Sequence, residues 1–320
     1  MEQIYEKIFN TGIIPVVVID NEEDALPIAQ ALIDGGLPSA EITFRTSAAK
    51  GAIKAISEKY GDDILVGAGT VLTEQQVDEA VEAGAKFIVS PGFSENIVKY
   101  CQKKGVVCIP GCSRPTDIEA AIRCGLSVVK FFPAEAAGGL KMIKAMAAPY
   151  GNIKFMPTGG IDEKNILEYL SFEKVIACGG SFMVNKEWVK NKEFHKITEA
   201  TKKAVALMHG FKVEHVGINA ETVENGESVI EAFSPFGFAV NRGNGGVFLN
   251  HDVEIMTKPW YGKAGHICIE TNNIKRAEAY LKTKGVKFIE ETKNIDAKGN
   301  YKAVYIDGDV CGFSLHLLQK

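Results

Sequence analysis

Between Ile13 and Ser181, short runs of β-branched and apolar residues alternate with helix-like stretches, and the runs start roughly 20–25 residues apart. They are 13–19, 39–45, 64–70, 86–91, 106–111, 127–133, 153–158 and 174–180. Strands covered by helices on both faces read as such near-continuous apolar runs, so the pattern predicts a parallel sheet built of βα units. Eight units in about 200 residues predict an α/β fold of the (β/α)8 TIM-barrel class. An open doubly wound sheet is the alternative, but no Gly-x-Gly-x-x-Gly turn follows the first run.

The segment from Glu187 to Gly210 reads as a closing helix and a short connection, after which the rhythm changes. Lys212 to Asn219 alternates like a strand with one covered face, Thr222 to Phe233 is helix-like, and 236–241, 246–250 and 252–256 read as short strands. The order recurs from Gly265 as a strand at 265–271, a helix at 274–284 and strands at 286–292, 301–306 and 312–318. This is an internal repeat of two βαβββ modules. The expected domains are therefore a barrel at 1–208 and an α+β domain at 212–320.

Composition narrows the function classes. Of 320 residues, 46% are hydrophobic and 24% charged, the profile of a chain that fills real cores. A net charge of −4 provides no basic field for nucleic acid, so an anionic substrate would need local donors. Met1 to Phe9 lacks the apolar core of a targeting segment, and no run is long enough to span a bilayer. The seven cysteines form no Cys-x-x-Cys pair, and their odd number argues against a complete disulfide framework. They read as reduced thiols of a cytoplasmic protein, mostly small buried residues.

Lys130 interrupts the sixth apolar run, Val128-Val129-Lys130-Phe131-Phe132-Pro133. An ammonium in a buried strand must be paired, neutralised or used, and a lysine amine that sheds its proton can attack a carbonyl to form a Schiff base. A strand-end lysine with its head in solvent is the alternative. The other runs end in Arg45, Gly69-Thr70, Pro91-Gly92, Pro110-Gly111, Thr158-Gly159-Gly160 and Gly179-Gly180-Ser181, all on the C-terminal face where barrels build their sites. Glu41, Thr43 and Arg45 are spaced two apart and so share a direction, as do Lys130 and Phe132.

Carbon–carbon cleavage beside a carbonyl needs an electron sink and a proton shuttle, which Lys130 as an iminium and Glu41 could supply. Arg45 would favour the free amine by like-charge repulsion and could hold a carboxylate. Thr70 and Thr158 offer hydroxyl donors, and Phe132 would wall a methyl group. The turns at Gly159-Gly160 and Gly179-Gly180-Ser181 suit a phosphate held by backbone amides and a helix N-terminus.

The stretches GIIPVV (12–17), AEITFRT (40–46), GAGTVL (67–72), SPG (90–92), IPG (109–111), VKFFPAE (129–135), PTGGI (157–161) and GGS (179–181) together resemble the 2-keto-3-deoxy-6-phosphogluconate and 4-hydroxy-2-oxoglutarate aldolase family. The resemblance covers nearly all of 1–208. It implies a class I aldolase without metal or other cofactor, acting on a small keto acid, releasing pyruvate with glyceraldehyde 3-phosphate or glyoxylate, and assembled as a homotrimer. It further implies Lys130 as the Schiff-base lysine and Glu41 as the general acid/base. Arg45, Thr70, Pro91, Phe132 and Thr158 would form the pyruvate pocket, with Gly159, Gly160, Gly179, Gly180 and Ser181 as the phosphate cradle. A phosphate-binding barrel isomerase or decarboxylase, using Lys130 as a charge only, and a scaffold for the C-terminal module are the rival readings.

In the repeat, His215 and His266 hold equivalent places, each alternating with apolar neighbours, and the later strands add Glu254 and His316. Three histidines and a carboxylate converging in a cup would suit a divalent transition metal such as zinc, nickel, iron or manganese. Paired βαβββ modules with ligands at these places resemble the glyoxalase and vicinal-oxygen-chelate superfamily, with His316 standing where many members carry glutamate. The module would be a second, metal-dependent enzyme, a sensor or an assembly domain. His195 and His251 read as solvated.

Overall fold

The computed structural model describes residues 1–243, 246–258 and 260–320. The chain divides into two units, Met1–Met208 and His209–Lys320. In the first, each predicted run contributes a strand: β1 (Ile13–Val17), β2 (Ser39–Thr43), β3 (Leu65–Gly69), β4 (Phe87–Val89), β5 (Val107–Ile109), β6 (Val128–Phe131), β7 (Lys154–Pro157) and β8 (Cys178–Gly180). Six of them lie parallel in the order β5-β4-β3-β2-β1-β8, and β6 pairs with β7. Single parallel bridges, Gly111 to Lys130 and Thr158 to Gly179, join the two sets and close the barrel.

The first residues of β3, β4, β5 and β6, namely Leu65, Phe87, Val107 and Val128, cluster with Ile8 of the helix Glu2–Thr11, against which Ile4, Tyr5 and Phe9 also pack. Burying a side chain such as Ile8 stabilises by about 1.5–3 kcal/mol. The helix thus plugs one end of the barrel and leaves the C-terminal strand ends for chemistry. Interior space is set by glycine: a Cβ on Gly67 would lie 2.4 Å from the Phe87 ring.

Among the described residues, the second unit holds one sheet of eight strands: β9 (Lys212–Asn219), β10 (Val240–Arg242), β11 (Val247–Leu249), β12 (Val253–Met256), β13 (Gly265–Thr271), β14 (Asn294–Ile295), β15 (Tyr301–Val310) and β16 (Phe313–Gln319). Their order is β10-β11-β12-β9-β13-β16-β15-β14. The helices Val223–Phe233 and Ile274–Thr283 pack on one face over Leu249 and Ile255, and over Val304 and Leu317. Their caps are equivalent in the repeat: Thr222 accepts from Asn225 N at 3.1 Å, and Asn273, 51 residues on, accepts from Arg276 N at 3.0 Å.

Two expected strands differ. The run 236–241 becomes a 3-10 turn, Ser234–Phe236, and the short β10. Pro235 lacks a ladder donor and Gly237, at φ 72°, turns the chain. The run 286–292 keeps only a bridge from Phe288 to Ile306 before a 3-10 turn at Glu290–Thr292. There the Thr292 hydroxyl accepts from Tyr305 N at 2.9 Å, taking the place of a backbone carbonyl in the ladder.

Register makes the repeat two-fold. On the antiparallel seam between β9 and β13, Gly217 faces His266 and His215 faces Cys268. Glu254 lies beside Gly217, and His316 lies beside Cys268, so Glu254 and His316 occupy equivalent places. A bulge between Cys268 and Ile269 ends the symmetry.

Candidate functional site

In the barrel, Glu41 sits in mid-β2, in register with Val16 and Gly67. Its Oε1 lies 3.4 Å from Lys130 Nζ, with the two side chains 1% and 7% exposed. Gly69 makes this possible, because a Cβ there would stand 2.2 Å from Glu41 Oε1. Desolvating such a pair costs several kcal/mol per ion, so it contributes little to stability, and a role in chemistry explains it better. Glu41 Oε2 and Thr158 Oγ1 are buried without partners, which a substrate's polar groups could satisfy. The Phe132 ring lies 5.2 Å from Lys130 Nζ.

Other predicted positions are placed less directly. Because β2 ends at Thr43, strand alternation does not aim Arg45, which is exposed and donates from Nε to Thr70 Oγ1 at 3.4 Å. Glu41 pairs with Lys130 and not with Arg45 among the described residues. Thr70 is held at φ 57°. Pro91 follows β4, and its carbonyl oxygen approaches so closely that a Cβ on Gly111 would lie 2.0 Å away. Gly159 and Gly160 adopt φ of 97° and 78°, and a Cβ on Gly179 would stand 2.4 Å from Thr158 Oγ1. Gly180 ends β8 and Ser181 is exposed beyond it. The expected helix N-termini are displaced: the next helices, Ile166–Leu170 and Lys186–Lys190, begin several residues later and are one turn long. Any anion there would meet loop amides.

In the second unit, His215, Glu254, His266 and His316 all line one cavity of about 670 Å³. His215 Nε2 lies 3.0 Å from His266 Nε2, and Glu254 Oε2 is 3.4 Å and 3.2 Å from these atoms respectively. Ligand atoms about 2.1 Å from a shared ion stand about 3.0–3.4 Å apart in octahedral or tetrahedral arrangements, so these three fit a metal. Glu214 bonds His215 Nδ1, an outer contact of the kind that leaves Nε2 free to coordinate. A Cβ on Gly217 would lie 2.1 Å from the His266 ring, so only glycine lets that ring lie flat over β9.

The same contacts shift the titration of these groups. Burial works against a charged His215, but hydrogen bonds to Cys268, Glu254 and Glu214 outweigh it and raise its pKa to about 10. Burial likewise opposes the Glu254 carboxylate, and the His215 and His266 bonds bring its pKa down to about 2. Burial first, then the neighbouring His266 and His215, push His316 down to about 4. His195 and His251 are exposed, but His251 also reaches the cavity rim. Glu214, Gly217, Cys268 and Tyr305 were not among the residues expected from the pattern. Strand alternation from His215 and His266 would have found Gly217 and Cys268.

A closed parallel barrel with a buried lysine–glutamate pair fits a class I aldolase, a carbon–carbon lyase, and the comparisons show that class. The family model for KDPG and KHG aldolases matches residues 4–200, and the chain belongs to that family. It is 45% identical over 208 residues to the 2-dehydro-3-deoxy-phosphogluconate aldolase of Treponema pallidum (strain Nichols), covering 65% of this chain and 99% of that protein. A KDPG aldolase from Legionella pneumophila, solved with pyruvate captured as a covalent carbinolamine, is 40% identical with a TM-score of 0.60, covering 62% of this chain and 97% of that one. The 2-keto-3-deoxy-6-phosphogluconate aldolase of Zymomonas mobilis ZM4, solved with 3-phosphoglycerate, is 37% identical with a TM-score of 0.58, covering 63% and 95%. The family match ends before His209–Lys320.

Proposed function

We propose that the barrel cleaves 2-keto-3-deoxy-6-phosphogluconate, or 4-hydroxy-2-oxoglutarate, through an imine on Lys130, and that the second unit holds a divalent transition metal. The buried Lys130–Glu41 pair, beside two unpartnered polar atoms, carries the first part. Glu41 takes the ammonium proton, and the amine adds to the substrate's C2 ketone. Glu41 returns a proton to the carbinolamine hydroxyl, which leaves as water. The iminium then accepts the C3–C4 bonding electrons as the C4 hydroxyl gives its proton to the Glu41 carboxylate, giving an aldehyde and an enamine. Protonation of the enamine at C3 and hydrolysis release pyruvate and the free lysine.

Arg45, Thr70 and Thr158 would hold the carboxylate, and Pro91 and Phe132 would wall the pyruvyl group. Gly159, Gly160, Gly179, Gly180 and Ser181 would receive the phosphate on loop amides. The pyruvate adduct in the Legionella relative and the phosphoglycerate in the Zymomonas relative support the two halves of this assignment. Borohydride reduction with pyruvate, followed by peptide mass spectrometry, tests it. A pyruvyl adduct on Lys130 is expected; no adduct, or one on another lysine, refutes the assignment. By the same family resemblance we expect a homotrimer in sedimentation.

His215, Glu254 and His266, with His316 within reach, would hold the metal, whose bound form supplies a Lewis acid or an activated water. The donor triangle supports this reading. A stoichiometric transition metal in the purified protein, lost on His215→Ala, is the expected result.

A further inference from the structure

Cys268 lies outside the four ligands expected from the sequence, yet it shares their face of the sheet. It is fully buried and two residues beyond His266 on β13. Register seats it opposite His215 on β9 and beside His316 on β16. The ligand atoms of His215, Cys268 and His316 all lie within 4.8 Å of one another, forming a second donor triad that shares His215 with the first.

His316 is an independent sign that this side of the cup is built for a ligand. It is 7% exposed, and neither ring nitrogen has a well-aligned hydrogen-bond partner. Its ring lies 4.9 Å from the Tyr305 ring, nearly parallel to it, which fixes the imidazole in the cavity wall. A buried imidazole whose ring nitrogens lack a well-aligned partner is costly unless something coordinates it. Cys268 also has no counterpart across the internal two-fold: the equivalent residue is Gly217, where the His266 ring packs. The thiol is therefore a property of the second module alone.

We infer that Cys268 is a ligand of the C-terminal metal, which makes the centre a mixed imidazole–thiolate one. It would select zinc, cobalt or nickel over magnesium and manganese, because thiolates favour softer ions. The inference rests on the proposed metal centre. On binding, the Sγ–H bond breaks, the proton passes to solvent and an Sγ–metal bond forms, with no change of oxidation state.

The test uses the full-length protein, stripped with a chelator and titrated with Co²⁺ under anaerobic conditions. Visible d–d bands accompanied by a near-ultraviolet thiolate-to-cobalt charge-transfer band are expected. Cys268→Ser should keep the d–d bands, abolish the charge-transfer band and weaken cobalt binding by roughly tenfold or more. Cys268→Ala, with circular dichroism of both variants, separates ligand loss from misfolding, since loss of the band in a folded variant is the supporting result. Cobalt bands that need His215 but are unchanged by Cys268→Ser would overturn the thiolate ligand and leave the metal centre standing. No cobalt bands sensitive to His215→Ala would overturn the metal centre and this inference with it.

Discussion

The barrel and the cup both bring ionisable side chains into a buried space, but they gather different numbers of donor groups. In the barrel the two groups are of opposite sign, and Lys130 and Glu41 satisfy each other at 3.4 Å until a substrate arrives. In the cup two imidazoles and a carboxylate bring three possible ligand atoms to one point. Their contacts favour the charged forms: His215 is raised to about 10 while Glu254 is lowered to about 2. The lysine–glutamate pair offers one nucleophile and one proton carrier, whereas the cup offers several donor atoms around one point, the arrangement on which the proposed metal centre rests.

The sharpest way to break this contrast is Lys130→Met, which removes the positive half of the barrel pair. Aldol cleavage should fall by roughly 10⁴-fold or more, with borohydride trapping abolished and cobalt binding unchanged. A parallel loss of cobalt binding would show that the sites are not independent. Next in size, Glu41→Gln should lower kcat by roughly 10²–10⁴-fold while Lys130 still forms an adduct, slowly, with pyruvate. Stopped-flow rates of trapping check this.

A third effect separates the stabilities of the two units. His209 is buried, stacks at 5.1 Å on Phe211, and is pushed by burial and then by Arg276 from 6.5 to about 4. The folded unit therefore binds fewer protons than the unfolded chain below pH 6.5, and its stability falls as pH drops from 6.5 towards 4. The full shift is worth about 3 kcal/mol. Thermal melts across this range should show the second unit losing stability, and His209→Gln should remove its share of the dependence, leaving that of His316, which is lowered to about 4 as well. Smallest in free energy, Gly217→Ala places a methyl 2.1 Å from the His266 ring and should cost about 1–3 kcal/mol, with weaker metal binding. Calorimetry with and without metal measures both.

The barrel was the more legible unit because its strands are buried on both faces and read as unbroken apolar runs. A charge inside such a run is conspicuous, and this is how Lys130 drew notice. The cup was harder to read. Its strands alternate, so Cys268 in Gly-His-Ile-Cys-Ile passes for an ordinary core residue unless its face is tracked from His266. The two strands that differ, at 236–241 and 286–292, turned on Pro235 and on a threonine hydroxyl replacing a carbonyl. Neither event changes the hydrophobic pattern.

Periodicity along the chain determined the elements, their order, the internal repeat and the face each polar residue presents. Only the tertiary structure decided who meets whom. Glu41 reaches Lys130 across 89 positions, and the donor triangle joins residues of β9, β12 and β13. The physical reason is that alternation specifies a side of a strand, whereas partners are set by strand order, register and the room that Gly69 and Gly217 leave. These are properties of the closed and paired sheets, not of any one segment.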